Sequence, residues 1–138
     1  MSTPRRDEDP ARDARNATPA GERLAALPDA LRARRPAGQV LVYAGQVPLS
    51  LFVVVDGAVR IDAPGAPGRG SVRRAHPGRP LVLPPPEAIG EPAAADVVLA
   101  EDSELVFIPR GALAAPGGAA EILAGSAIEA LPLRAETA

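Results

Sequence analysis

Apolar positions in this chain gather into short unbroken runs more often than into helical stripes. Val40–Tyr43, Leu51–Val55 and Ala58–Ile61 are rich in Val, Leu, Tyr and Phe, residues that suit a pleated surface. Ala44-Gly45-Gln46 separates the first two runs and Asp56-Gly57 the second and third. Asp-Gly between such runs is a strong hairpin signal, because glycine accepts the positive φ that a tight turn needs. The pattern predicts a β-meander over Pro36–Ile61. Leu81–Leu83 reads as a further strand. Val97–Arg110 reads as two β-runs around the acidic turn Glu101-Asp102-Ser103-Glu104.

Two stripes with helical spacing flank this β-rich middle. Leu24, Leu27 and Leu31 recur at intervals of three and four, which predicts short helices over Glu22–Arg35 with a restart at Pro28. Arg32, Arg34 and Arg35 then read as a solvated helix end favoured by the macrodipole, with an anion patch as the alternative. Near the other end, Gly111–Leu113 reads as a helical turn stopped at Pro116-Gly117-Gly118. Ala120, Leu123, Ala127 and Leu131 predict an amphipathic helix from Ala119 that ends at Pro132. Residues 1–20 mix charges, prolines and small side chains with almost nothing to bury, and are read as a disordered tail, with an interaction arm as the alternative. The expected organisation is a tail at 1–20, one domain at 21–133 and a short tail at 134–138.

Composition narrows the chemistry. The chain has 138 residues, enough for one core. Its 17 prolines exceed twice the usual share of about 5% and favour short strands and many turns. With one Tyr, two Phe and no Trp, the core must be aliphatic. The absence of cysteine excludes disulfides, thiolate metal sites and a Cys nucleophile, and a single histidine excludes a His-cluster metal site. No nucleophile with its base and no paired carboxylate motif is visible, so no enzyme is expected and no resident cofactor. The net charge of −2 carries no message about nucleic acid or membrane. RRDEDPARDAR stands near the N-terminus where a signal peptide would need an apolar core, and no apolar run approaches a membrane span. The expected location is therefore cytoplasmic. Arg69, Arg73, Arg74, His76 and Arg79 form a basic stretch without a carboxylate, read as a solvated loop.

Three segments together resemble the cyclic-nucleotide-binding domain family, the sensory domain of cAMP-receptor regulators. P-A-G-x-V, Gly45 and L-F-V-V-V-x-G-x-V-R-I are similar to that family's opening strands. Pro84–Glu91 aligns with its L-G-P-G-D-x-x-G-E lead into the phosphate-binding cassette, and VVLAEDSELVFIPR with its closing strands. The resemblance covers roughly Leu24 to Leu131. It implies a mainly β fold: a single antiparallel β-roll, jelly-roll-like, with short helices at both ends that pack near each other.

The resemblance also places a ligand site. Family members hold the cyclic phosphate with an arginine and with backbone N–H groups of a short cassette helix, and use the glutamate of the G-E pair for the ribose hydroxyl. Gly90 and Glu91 occupy the G-E positions and are the candidate ligand-binding residues. Only Pro92-Ala93-Ala94-Ala95-Asp96 separates Glu91 from the next strand, so the cassette's helical turn and its arginine are missing. Pro92 also removes a backbone donor, and Asp96 brings a negative charge near the expected phosphate. The expectation is a regulatory module degenerate in nucleotide binding that acts by protein–protein interaction. The alternatives are a sensor with a rebuilt pocket and a basic-loop adaptor for nucleic acid or an acidic partner. Arg73, Arg74 and Arg110 are the outside arginines available to a rebuilt site. No helix-turn-helix DNA-binding domain is expected, and the family suggests a homodimer through the C-terminal helix.

Overall fold

The structure, a computed structural model, describes residues 20–27, 29–113, 119–124 and 128–134. The expected tail at 1–20 lies outside the described residues except for Ala20, as do the Pro116-Gly117-Gly118 stop and residues 135–138 of the second tail. Helix α1 spans Ala20–Ala25. Eight strands follow: β1 Leu31–Arg35, β2 Val40–Val42, β3 Ser50–Asp62, β4 Ser71–Ala75, β5 Leu81–Leu83, β6 Asp96–Leu99, β7 Ser103–Pro109 and β8 Glu129–Ala130. Helix α2, Ala119–Ala124, comes between β7 and β8. The molecule is the expected mainly β roll, antiparallel apart from the parallel pair β5–β8.

The opening differs from the expected meander. Asp56-Gly57 is no hairpin turn but lies inside the 13-residue strand β3. The first half of β3 pairs with β5 and β7, the second half with β4 and β6, and the register shifts between Val54 and Asp56. Gly57 has φ +135°, and a Cβ there would stand 2.1 Å from Ser103 Oγ. The glycine is used to bend one strand from the first sheet into the second. β2 does not pair with β3 at all; it pairs with β6.

The reason lies in burial. Along β3, Leu51, Val53 and Val55 belong to one apolar cluster and Val54, Val59 and Ile61 to another. β5 and β7 alternate in the same way: Leu81, Leu83 and Leu105 face inward between the sheets, while Val82, Val106 and Ile108 face outward. The outer face of that sheet is covered by α1 through Leu24 and by α2 through Ala119 and Ile122, so both helices pack on one patch as expected. Runs such as LFVVV and LVFI are continuous because both faces of the strand are buried. Phe52 and Phe107 meet edge to face across β3 and β7 at 5.5 Å, with the Arg35 guanidinium 5.8 Å from the Phe107 ring.

The two helical stripes are shorter than the sequence suggested. Leu31–Arg35 is not a second helix but strand β1, paired residue by residue with Ser103–Phe107. Helix α1 stops at Ala25, before Leu27, whose φ/ψ choice the following proline restricts. The arginines then alternate along a strand, and Arg32 bonds to Glu22 of α1 and Glu104 of β7. At the other end the helix from Ala119 is described over Ala119–Ala124, the expected position Ala127 lies outside the described residues, and Leu131 is not helical. Glu129–Ala130 is a strand, and Leu131 and Leu133 enter the inner cluster.

Candidate functional site

Gly90 and Glu91 follow the turn of 3-10 helix at Pro86–Ala88, which leaves β5 through the cis Leu83–Pro84 bond. Gly90 has φ +96° and donates its N–H to Pro48 O at 3.3 Å. A Cβ at this position would lie 3.1 Å from Arg110 Nη1, so the Arg110 guanidinium rests against the Gly90 backbone. Glu91 is exposed, and its N–H donates to Ala88 O at 3.1 Å. Its side chain stands on the rim of an open groove of about 200 Å³, which Pro84, Pro85, Pro92, Pro132 and Arg134 also line.

The short cassette segment is held by backbone bonds to its neighbours. Ala93 donates to Gln46 O at 2.7 Å and accepts from Gly45 N–H at 2.7 Å. Ala94 donates to Leu133 O at 2.8 Å. Ala93 and Ala95 are buried in the inner cluster. The N–H groups of Gly90, Glu91, Ala93 and Ala94 are thus all engaged with carbonyls, and Pro92 has none to offer. Asp96 does not face an anion site: its carboxylate accepts the Ala44 N–H at 2.7 Å and anchors the β2–β3 loop.

The arginines named as outside candidates divide. Arg73 pairs with Glu129 and Arg74 with Glu101, so both are tied to carboxylates. Arg110 alone among the three reaches Gly90. Its place follows from the end of β7, where its own N–H donates to Leu49 O at 3.0 Å. A signal for it was present in the sequence, the Pro109-Arg110 step closing the last strand, but only the fold brings that step beside residue 90. His76 is exposed and forms a tight turn with Arg79, whose N–H donates to His76 O at 2.7 Å. Among the described residues no group of three or more His, Cys, Asp or Glu is placed to hold a metal ion. None of their helices is long and apolar enough to cross a membrane.

The family model of the cyclic nucleotide-binding domain matches residues 32–115. Among curated proteins none matches the chain. Among solved structures, a cyclic nucleotide-binding domain from Methylobacillus flagellatus is 18% identical, with 70% of this chain and 51% of that one covered, at a TM-score of 0.47. The C-linker/CNBHD of zELK channels, crystallized in the presence of cAMP, is 13% identical over 82% of this chain and 67% of that one, at 0.50. PfPKA-R bound to cAMP is 14% identical over 82% of this chain and 42% of that one, also at 0.50. At such identities the likeness is one of fold. The chain spans about half the length of the first of these structures.

Proposed function

The chain belongs to the cyclic nucleotide-binding domain family, and we propose that it is a regulatory module of that family which no longer takes the nucleotide and acts by binding a protein. One observation carries this reading. The N–H groups of Gly90, Glu91, Ala93 and Ala94 are engaged with the Pro48, Ala88, Gln46 and Leu133 carbonyls. A cyclic phosphate leaves water only for a cation and a set of free N–H groups that replace its hydration. To meet it here, bonds to the β2–β3 loop, to the turn at Pro86–Ala88 and to Leu133 would have to break first. In this reading the module works by binding, without chemistry of its own.

Calorimetric titration of the full chain with cAMP and with cGMP, each to millimolar concentration, tests the reading. The expected result is no saturable heat. Heat that saturates in the micromolar range and vanishes in Glu91→Ala would overturn it. A second reading, a sensor with a rebuilt site, is favoured by Arg110 lying against Gly90 beside Glu91. That reading requires the heat to vanish in Arg110→Ala as well.

A further inference from the structure

Three elements hold residues 128–134. Glu129 N–H donates to Pro80 O at 3.1 Å and Leu131 N–H to Val82 O at 2.9 Å, which lays the segment parallel to β5. Glu129 pairs with Arg73 of β4. Leu133 O accepts the Ala94 N–H from the cassette. Burial alternates with period two: Leu131 and Leu133 are 3% and 8% exposed, while Ala130, Pro132 and Arg134 face solvent. Both leucines sit among Val54, Ile61, Leu81 and Val97 of the inner cluster.

This is how an extended peptide binds a sheet edge: main-chain bonds to the edge strand, with alternate side chains in pockets. The edge of β5 supplies the carbonyls, Arg73 the cation for an acidic residue, and the roll interior the slot for two leucines. The fit leaves a gap of about 20 Å³ between Ile61, Arg73, Leu131 and Arg134, roughly one water. Residues 129–133 form a strap whose strand, β8, is the outermost of its sheet. The ladder with β5 pairs Leu81 with Glu129 and Val82 with Ala130, and Pro84, the residue after β5, has no N–H to carry it further.

We propose that Glu129–Leu133 is a built-in occupant of a peptide-binding edge, and that a protein partner carrying an extended acidic-x-Leu-x-Leu segment displaces it to bind β5. The proposal rests on the reading of the module as one that acts through a protein. The strap itself states the partner's chemistry: a carboxylate for Arg73, then two leucines at alternate positions. Tethered in the same chain, the strap competes at a high effective concentration, which keeps the edge closed until a partner of higher affinity arrives.

The test uses the full chain and a fluorescein-labelled peptide copying residues 128–134, read by anisotropy. A Leu131→Ser, Leu133→Ser double variant, whose own strap no longer fits, is expected to bind the peptide saturably and at least tenfold more tightly than the wild type. Adding Arg73→Glu is expected to remove most of that binding. A folded double variant that ignores the peptide, or binds a scrambled copy equally well, overturns the proposal. Should the double variant not fold, amide exchange in the wild type decides. The Leu131 and Ala94 amides are expected to exchange at least tenfold faster than those of Val53 and Val106, and equal protection would show the strap to be fixed core. None of these outcomes depends on nucleotide, so the edge can fail while the calorimetric result stands, and the reverse.

Discussion

Gly57 and Asp62 show how single positions hold the bend and the tip of β3. At Gly57 both the φ of +135° and the 2.1 Å approach of a Cβ to Ser103 Oγ forbid a side chain. Ser103 answers from the other side: its Oγ accepts the Ala58 N–H and donates to Glu101 O. Gly57→Ala is expected to destabilise the protein by about 2–3 kcal/mol in chemical denaturation, through strain and loss of that contact. Asp62 is buried, and its carboxylate takes the Arg60 guanidinium and the N–H groups of Gly68 and Gly70, closing the loop after β3. The Arg60 bond first, then the two backbone donors, hold this carboxyl below the usual aspartate range. A depressed folded-state value means stability that is fully present above the unfolded value of about 3.9 and lost as pH falls toward the folded one. Asp62→Asn is expected to cost about 1–2 kcal/mol at pH 7. The gap between wild type and variant should stay level above about pH 5 and narrow below about pH 4 in urea titrations. A gap that stays constant down to pH 2.5 would show that the carboxylate contributes nothing as an anion.

Among the elements, β1 is one whose character a helical stripe concealed. Its five residues take all their ladder partners from β7. Arg32 ties it further, bonding to Glu22 on α1 and to Glu104 on β7. The guanidinium lowers the Glu22 carboxyl below its usual range, by its hydrogen bond before its charge. These groups are exposed and screened by water and salt, so the pair positions α1 more than it stabilises the molecule. Arg32→Ala is expected to lower the melting temperature by a few degrees at most in low salt, with the difference shrinking toward about 1 M salt. A large, salt-independent loss would instead assign the side chain's stem a packing role.

At the scale of the molecule, one strand is shared by both sheets and by both apolar clusters. Residues of β3 alternate between the cluster under the helices and the cluster inside the roll. Neither cluster can open without unpairing β3, so one cooperative transition is expected, with the calorimetric and van't Hoff enthalpies equal. Leu105, fully buried and paired across to Val54, tests the same link. Leu105→Ala is expected to cost about 3 kcal/mol while leaving the transition single. A variant that melts in two steps would show that the roll interior and the helix-covered face fold as separate units.

Much of the fold could be read from residues alone. Continuous Val and Leu runs between proline- and glycine-rich breaks declare a sheet protein, because those side chains fit a pleat and those breaks end one. The G-E pair at Gly90 and Glu91 and the shortness of the segment after it were equally legible, since both are matters of order and spacing along the chain. Asp56-Gly57 was not, because a glycine with positive φ serves a turn and a bulge alike, and only the strands on either side decide between them. Nor was LRARR, where spacing fits helix and strand and the choice fell to pairing with β7. The same holds for the candidate site. Which N–H groups remain available, that Arg110 lies against Gly90, and that Leu131 and Leu133 fill the roll are facts about partners far apart in sequence. Local preference sets what each segment is able to form, and the long-range contacts that bury it determine what it does form.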